Sequence, residues 1–215
     1  MLERKIAQQK QLILNGELSC SFMVDLYLSY LWRESMIPSV VAYCSHTAAK
    51  TDANRAALAA PNVFFLCHYD DKGDHILVDS DFNITGMIDW EFASAEPKAF
   101  VFSSPCMMWP VGQYFAGSND LCQDELEFAA IFERKGRSDM ARHIREGRKM
   151  QRFLYFDGGG VPFDLDEHKA TFQAMRRVWA DGREIEEYEV WREKALCRYR
   201  DDEGLERFCS LSALA

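Results

Sequence analysis

Two short apolar runs, Asn62–Cys67 and Ile76–Asp79, bracket a polar loop holding His68, Asp70, Asp71, Lys72, Asp74 and His75, and a third run from Ile84 ends on Ile88-Asp89-Trp90-Glu91. Runs of that length and composition read as strands, and a loop so dense in charge must stay near solvent. Between the second and third runs, Ser80-Asp81-Phe82-Asn83 is rich in turn formers. The flanking runs are therefore expected to pair as a hairpin and to bring Asp89 back beside the loop. A carboxylate on a loop fixed between strands can orient a substrate hydroxyl and accept its proton. A second carboxylate at the end of the next hairpin can hold a metal that neutralises phosphate charge. Asp70 fits the first role and Asp89 the second.

His68-Tyr69-Asp70, a polar residue five positions after the Asp, an apolar strand, a hairpin and Ile88-Asp89-Trp90-Glu91 together resemble the catalytic core of the aminoglycoside phosphotransferase and choline kinase-like family, a branch of the protein kinase-like fold. The resemblance implies Asp70 as catalytic base and Asp89 as the main ligand of a magnesium ion that accompanies ATP. The family's metal-binding Asn corresponds here to His75, which the resemblance makes a cofactor-binding and metal-ligating position. Magnesium prefers oxygen donors, and Asp71 and Asp74 lie close enough in sequence to supply them. His68 and Glu91 are implied as structural supports of the loop. Asp71-Lys72-Gly73-Asp74-His75 and the later segment Phe102 to Pro110 resemble a fungal-type branch in which the usual Asn is often absent. The implied activity is ATP- and Mg-dependent phosphoryl transfer to a small-molecule hydroxyl.

The chain has 215 residues, 48% of them hydrophobic and 13% aromatic, enough to bury a sizeable core in a single domain. Its formal charge of -9 argues against a nucleic-acid partner, because phosphate neutralisation requires a basic face. Seven Cys without a Cys-x-x-Cys pair suggest neither a disulfide framework nor a zinc knuckle, and read as reduced cytosolic thiols. The N-terminus has no signal-peptide core, and no apolar run approaches membrane-spanning length. A cytoplasmic location without a membrane partner is expected.

The fold class expected is α+β and mostly helical: the C-terminal lobe of the kinase-like fold, with a small β-hairpin at the catalytic loop. Residues 1–60 supply helices before the loop, 61–91 the loop and metal-binding hairpin, and 92–215 a substrate-side loop and closing helices. Glu3 to Leu14 reads as a short helix stopped by Asn15-Gly16. Leu18 to Trp32 is apolar around most of its circumference and predicts a buried core helix. Asp52 to Ala60 is helix-competent. Phe92 to Pro97 reads as a loop, and Phe100 to Pro110 either walls a substrate pocket or packs beneath the helices. Gln123 to Glu133, Arg137 to Phe156, Leu165 to Ala180 and Arg183 to Arg200 have helical periods, the last two with solvated charged faces. Gly158-Gly159-Gly160 lacks the residues of a phosphate loop and reads as a connector.

Upstream of Cys67 the only Gly is Gly16, and Lys5, Lys10 and Lys50 all lie outside β-branched runs. The glycine-rich nucleotide-binding lobe is therefore expected to be missing, which leaves a catalytically inactive, pseudokinase-like binding module or a truncated gene product as the alternative. The string His68-x-Asp70-x-x-x-Asp74-His75 also allows a binuclear metallohydrolase cluster, although its spacing departs from the usual one. His46, His143 and His168 lack partners at ligand spacing and are expected on the surface.

Overall fold

The computed structural model describes residues 2–48, 64–68, 74–155 and 164–212. In chain order these form α1 (Leu2–Leu14), α2 (Met23–Ala48), β1 (Phe64–Cys67), β2 (Ile76–Val78), β3 (Ile84–Met87), a 3-10 turn (Trp90–Phe92), β4 (Ser94–Pro97) and α3 (Lys98–Val101). A second 3-10 turn (Cys106–Met108) leads to α4 (Val111–Phe115), α5 (Gln123–Arg134), α6 (Ser138–Arg145), α7 (Arg148–Tyr155), α8 (Leu165–Trp179), α9 (Tyr188–Arg198) and α10 (Glu203–Ser212). The protein is α+β, mostly helical, with small antiparallel sheets. Among the described residues, no helix is long and apolar enough to cross a membrane.

The chain divides into two compact units, and α2 and α7 contribute residues to both. The first comprises residues 1–41, 112–119 and 151–215. Its core explains the apolar circumference of α2: Leu26, Tyr27, Leu28 and Tyr30 are all buried, as are Ile6 and Ile13 of α1 and Phe172 and Met175 of α8. Phe172 meets Trp191 of α9 at 4.5 Å between ring centroids and Trp32 at 5.4 Å. Buried polar groups are held in place by specific bonds. Asp25 accepts hydrogen bonds from Tyr188 and from Arg192, each at 2.7 Å. Arg33, fully buried, donates to the Phe153 carbonyl at 2.7 Å and lies over the Tyr30 and Phe153 rings. In the first turn of α10, a Cβ on Gly204 would sit 2.2 Å from the Tyr27 hydroxyl, so any larger residue there would displace the buried Tyr27 side chain.

The second unit comprises residues 42–111 and 120–150 and carries the four strands found among the described residues. β1 pairs antiparallel with β4, from Phe64 opposite Pro97 to Cys67 opposite Ser94. β2 pairs antiparallel with β3, Ile76 opposite Met87, with a bulge at Leu77/Val78. Ala129 of α5 packs with Ala141 and Ile144 of α6 under Phe128 and Phe132. Beside them Glu125, fully buried, accepts from Ser104 at 2.5 Å, from the Cys122 amide at 3.0 Å and from Arg148 at 2.6 Å. Asp139 is ion-paired with Lys98 and Arg137. Burial would raise its carboxyl pKa, but the hydrogen bonds from Arg137 and Lys98 prevail and hold it below the usual carboxylate range.

Several elements differ from the sequence reading. Ser94–Pro97 is a strand rather than a loop, because its backbone pairs with β1; its own residues have weak strand preference. The segment from Arg137 forms two helices, broken at Glu146-Gly147, where glycine is a poor helix former. The buried helix runs well beyond Trp32, through Pro38 to Ala48, and continues past the one position that cannot donate a backbone bond. Arg176 on α8 is buried rather than solvated, donating to Gln173 and to the Glu186 carbonyl. His143 and His168 are buried, not on the surface. Each sits on the apolar stripe of its own helix, beside Ile144 and Phe172 respectively. The expected helix at Asp52 to Ala60 and the glycines at 158–160 lie outside the described residues.

Burial lowers the pKa of both histidines from 6.5 to about 4, with Lys98 and Arg142 adding to the effect at His143, while Asp139 opposes it there and Asp25 opposes it at His168. The unfolded chain thus takes up protons near pH 6.5 that the folded chain refuses until about pH 4. This share of stability is complete above pH 6.5 and is lost as the pH falls towards 4. His143→Leu should remove its part, on the order of 1–3 kcal/mol, and flatten the melting temperature against pH across that window; an unchanged profile would contradict the burial. Glu125→Ala should cost about 3–5 kcal/mol in urea unfolding, since it takes the carboxylate counter-charge from the buried Arg148 guanidinium.

Candidate functional site

The hairpin that carries Asp89 is closed by its own turn. Asp79 Oδ1 accepts from the amides of Asp81 and Asn83, each at 2.9 Å, and Oδ2 accepts from the Asn83 side-chain amide at 3.1 Å. Those bonds from Asn83 keep the Asp79 carboxyl below its ordinary pKa. Phe82, in the turn, adopts a positive φ of 61°. Past the strand pair, the Ile88 amide donates to the His75 carbonyl at 3.0 Å and extends the hairpin to the residue before Asp89.

At this end the side chains converge. Across β2 and β3, His75 Nδ1 lies 3.6 Å from Asp89 Oδ2, and its Nε2 lies 3.1 Å from Asp74 Oδ1. The ring is buried, whereas both carboxylates are open to solvent. The His68 ring is 4.7 Å from that of His75 and 5.0 Å from Trp90, and His68 Nε2 is 2.9 Å from the Ile88 carbonyl. Trp90 Nε1 donates to the Met87 carbonyl at 2.9 Å. The chain between these anchors is tightly turned. Asp89 has φ 66° and ψ 46°, the left-handed region, immediately before the 3-10 turn. Non-glycine residues held there store backbone strain, and such strain concentrates at functional positions.

Of the sequence candidates, His68, His75 and Asp89 are therefore neighbours on one hairpin end. His68 Nε2 lies within hydrogen-bond distance of the Ile88 carbonyl, just past β3. Glu91 is exposed in the 3-10 turn. Asp70, with Tyr69, Asp71, Lys72 and Gly73, lies outside the described residues. In the sequence Asp74 is only a spare oxygen donor; in the structure its Oδ1 lies 3.1 Å from Nε2 of the adjacent His75. The segment Cys106–Met108 forms a 3-10 turn, after which Trp109 donates to the Ser104 carbonyl and lies under the Arg148 guanidinium. Phe102 meets Phe65 of β1 at 5.1 Å. This favours packing over a pocket wall for these aromatic residues.

No protein-family model, curated protein or solved structure matches the chain. The site is thus defined by its own chemistry: one accessible carboxylate on a strained backbone, a second carboxylate close by, and an imidazole between them. No group of three or more His, Cys, Asp or Glu side chains among the described residues forms a ready metal cage.

Replacing Asp89 by Gly separates strain from side-chain contact. Asp89→Gly should raise unfolding stability by about 1 kcal/mol in chemical denaturation while deleting the carboxylate. A loss of stability instead would show that the contact with His75 outweighs the strained φ.

Proposed function

We propose that the hairpin end is the metal- and nucleotide-side half of an aminoglycoside phosphotransferase-like site on a kinase-like C-terminal lobe, serving phosphoryl transfer from ATP to a small-molecule hydroxyl. What supports the reading is the return of Asp89 by the β2–β3 hairpin to His75 and His68, which flank Asp70 in the sequence. Magnesium in phosphoryl-transfer sites is held by one or two carboxylates together with substrate phosphates and water, so a complete protein cage is unnecessary. The accessible Asp89 carboxylate fits that demand, and Asp74 offers a second oxygen nearby. His75 fits less well as a ligand, because both of its nitrogens face carboxylates. In this reading it orients Asp74 and Asp89 instead of replacing the family's Asn as a donor.

Bound there, magnesium would supply charge neutralisation for the transferred phosphoryl group. The residues of the chain have simpler tasks. Asp89 offers its oxygens from a backbone fixed by the Ile88 bond to His75. His68 holds the Ile88 carbonyl and so fixes the approach to Asp89. Asp70, by resemblance, takes the proton of the acceptor hydroxyl. A nucleotide-binding lobe would have to be supplied, and cysteines in the thiol form fit a reducing, cytoplasmic setting.

A second reading, a catalytically inactive kinase-like binding module, is favoured by the nitrogen of His75 standing beside Asp89 where the family has an oxygen donor. The two separate in one experiment that combines calorimetric Mg·ATP binding with γ-phosphoryl transfer to small alcohols. Transfer lowered about 10²–10⁴-fold by Asp70→Asn, and abolished by Asp89→Asn, supports the enzyme. Mg·ATP binding that Asp89→Asn removes, without any transfer, supports the module. Absence of both removes the site from phosphoryl chemistry.

A further inference from the structure

The hairpin has no core of its own. Every residue of β2 is exposed, and so are three of the four in β3, including Ile84; only Gly86 is partly covered. Phe82 in the turn is 85% exposed. Phe64 and Leu66 are exposed as well, on the strand that leads into His68 beside the hairpin. Each of the four strands pairs with a single neighbour among the described residues, so both sheets keep edges that no further strand covers there. An isolated two-stranded hairpin is marginal in water, and an apolar hairpin with open edges is a template for strand addition.

Charge decides what can cover it. Residues 64–97 hold eight acids against one lysine, which concentrates most of the chain's net charge of -9 in this stretch. Asp74, Asp79, Asp81, Asp89 and Glu91 are exposed around the apolar surface. A second copy of this chain would set acid against acid, and like charges across an interface are strongly unfavourable. An apolar strand edged with lysine or arginine meets both requirements.

We propose that the hairpin β2–β3, with Phe64 and Leu66 of β1, is the docking face for another polypeptide, which adds an apolar β-strand flanked by basic side chains. Strand addition supplies backbone bonds for affinity, alternate side chains meet the apolar face, and the basic ends pair with the acidic rim. Docking of this kind does not require phosphoryl transfer at the hairpin end, although Asp74 and Asp89 belong to both surfaces.

Three synthetic peptides test it by backbone-amide NMR titration of the full chain: Lys-Val-Thr-Val-Thr-Val-Lys, its counterpart with Glu at both ends, and a lysine-ended control with Gly and Ser in place of Val and Thr. The expected result is that only the first binds, at least about tenfold more tightly than either other peptide, with shifts centred on 76–88 and weakening in high salt. Ile84→Glu, which removes part of the apolar face, should abolish the effect, and the lysine-ended Gly/Ser peptide on wild-type protein tests the same apolar requirement should that variant fail to fold. Equal binding of all lysine-ended peptides, shifts elsewhere on the chain, no binding, or self-association of the wild-type chain that Ile84→Glu prevents would each overturn the proposal.

Discussion

The antiparallel pairing of Ile76–Val78 with Ile84–Met87 is the constraint on which the site depends. Asp89 is remote in sequence from His68, and only a closed hairpin returns it to within reach of the loop. Closure is local in origin: the Asp79 carboxylate accepts hydrogen bonds from the Asp81 and Asn83 amides and from the Asn83 side chain. The left-handed backbone of Asp89 is then imposed from both sides, by the Ile88 bond to His75 and by the following 3-10 turn. The hairpin therefore fixes where the carboxylate stands and also the strain it carries.

The helical elements are organised by a different rule. They bury many charged groups, and the central ones are matched: Glu125 with Arg148 and Ser104, Asp139 with Lys98 and Arg137, Asp25 with Tyr188 and Arg192. Buried pairs of this kind contribute little net stability compared with apolar packing, yet breaking one is costly. They fix which segments meet and in what register. The hairpin strands have no such buried pair, and their apolar side chains stand in solvent among acidic neighbours.

The hairpin is legible in the sequence because its information is local: turn formers between two apolar runs, each too short for a helix. The core helix is legible for a related reason, since Phe22, Leu26 and Tyr30 recur at the helical period and all three are buried. Strand β4 is not legible, because Ser94-Ala95-Glu96-Pro97 becomes a strand only by pairing with β1. His143 and His168 look like surface residues when only ligand partners are sought. Burial follows from the helix face on which a residue lies, and polar side chains on an apolar stripe go inside with it.

By itself, then, the sequence determined the periodic helices, the turn-closed hairpin and the residue types gathered at 67–91, because periodicity and turn chemistry act over a few neighbouring positions. Only the tertiary structure decided that His75 faces Asp74 and Asp89, that Arg148 neutralises Glu125, and that the hairpin stands exposed on its apolar side chains. Those outcomes depend on which distant segments share a dielectric environment and compete for the same donors. Neither propensity nor spacing along the chain contains that information.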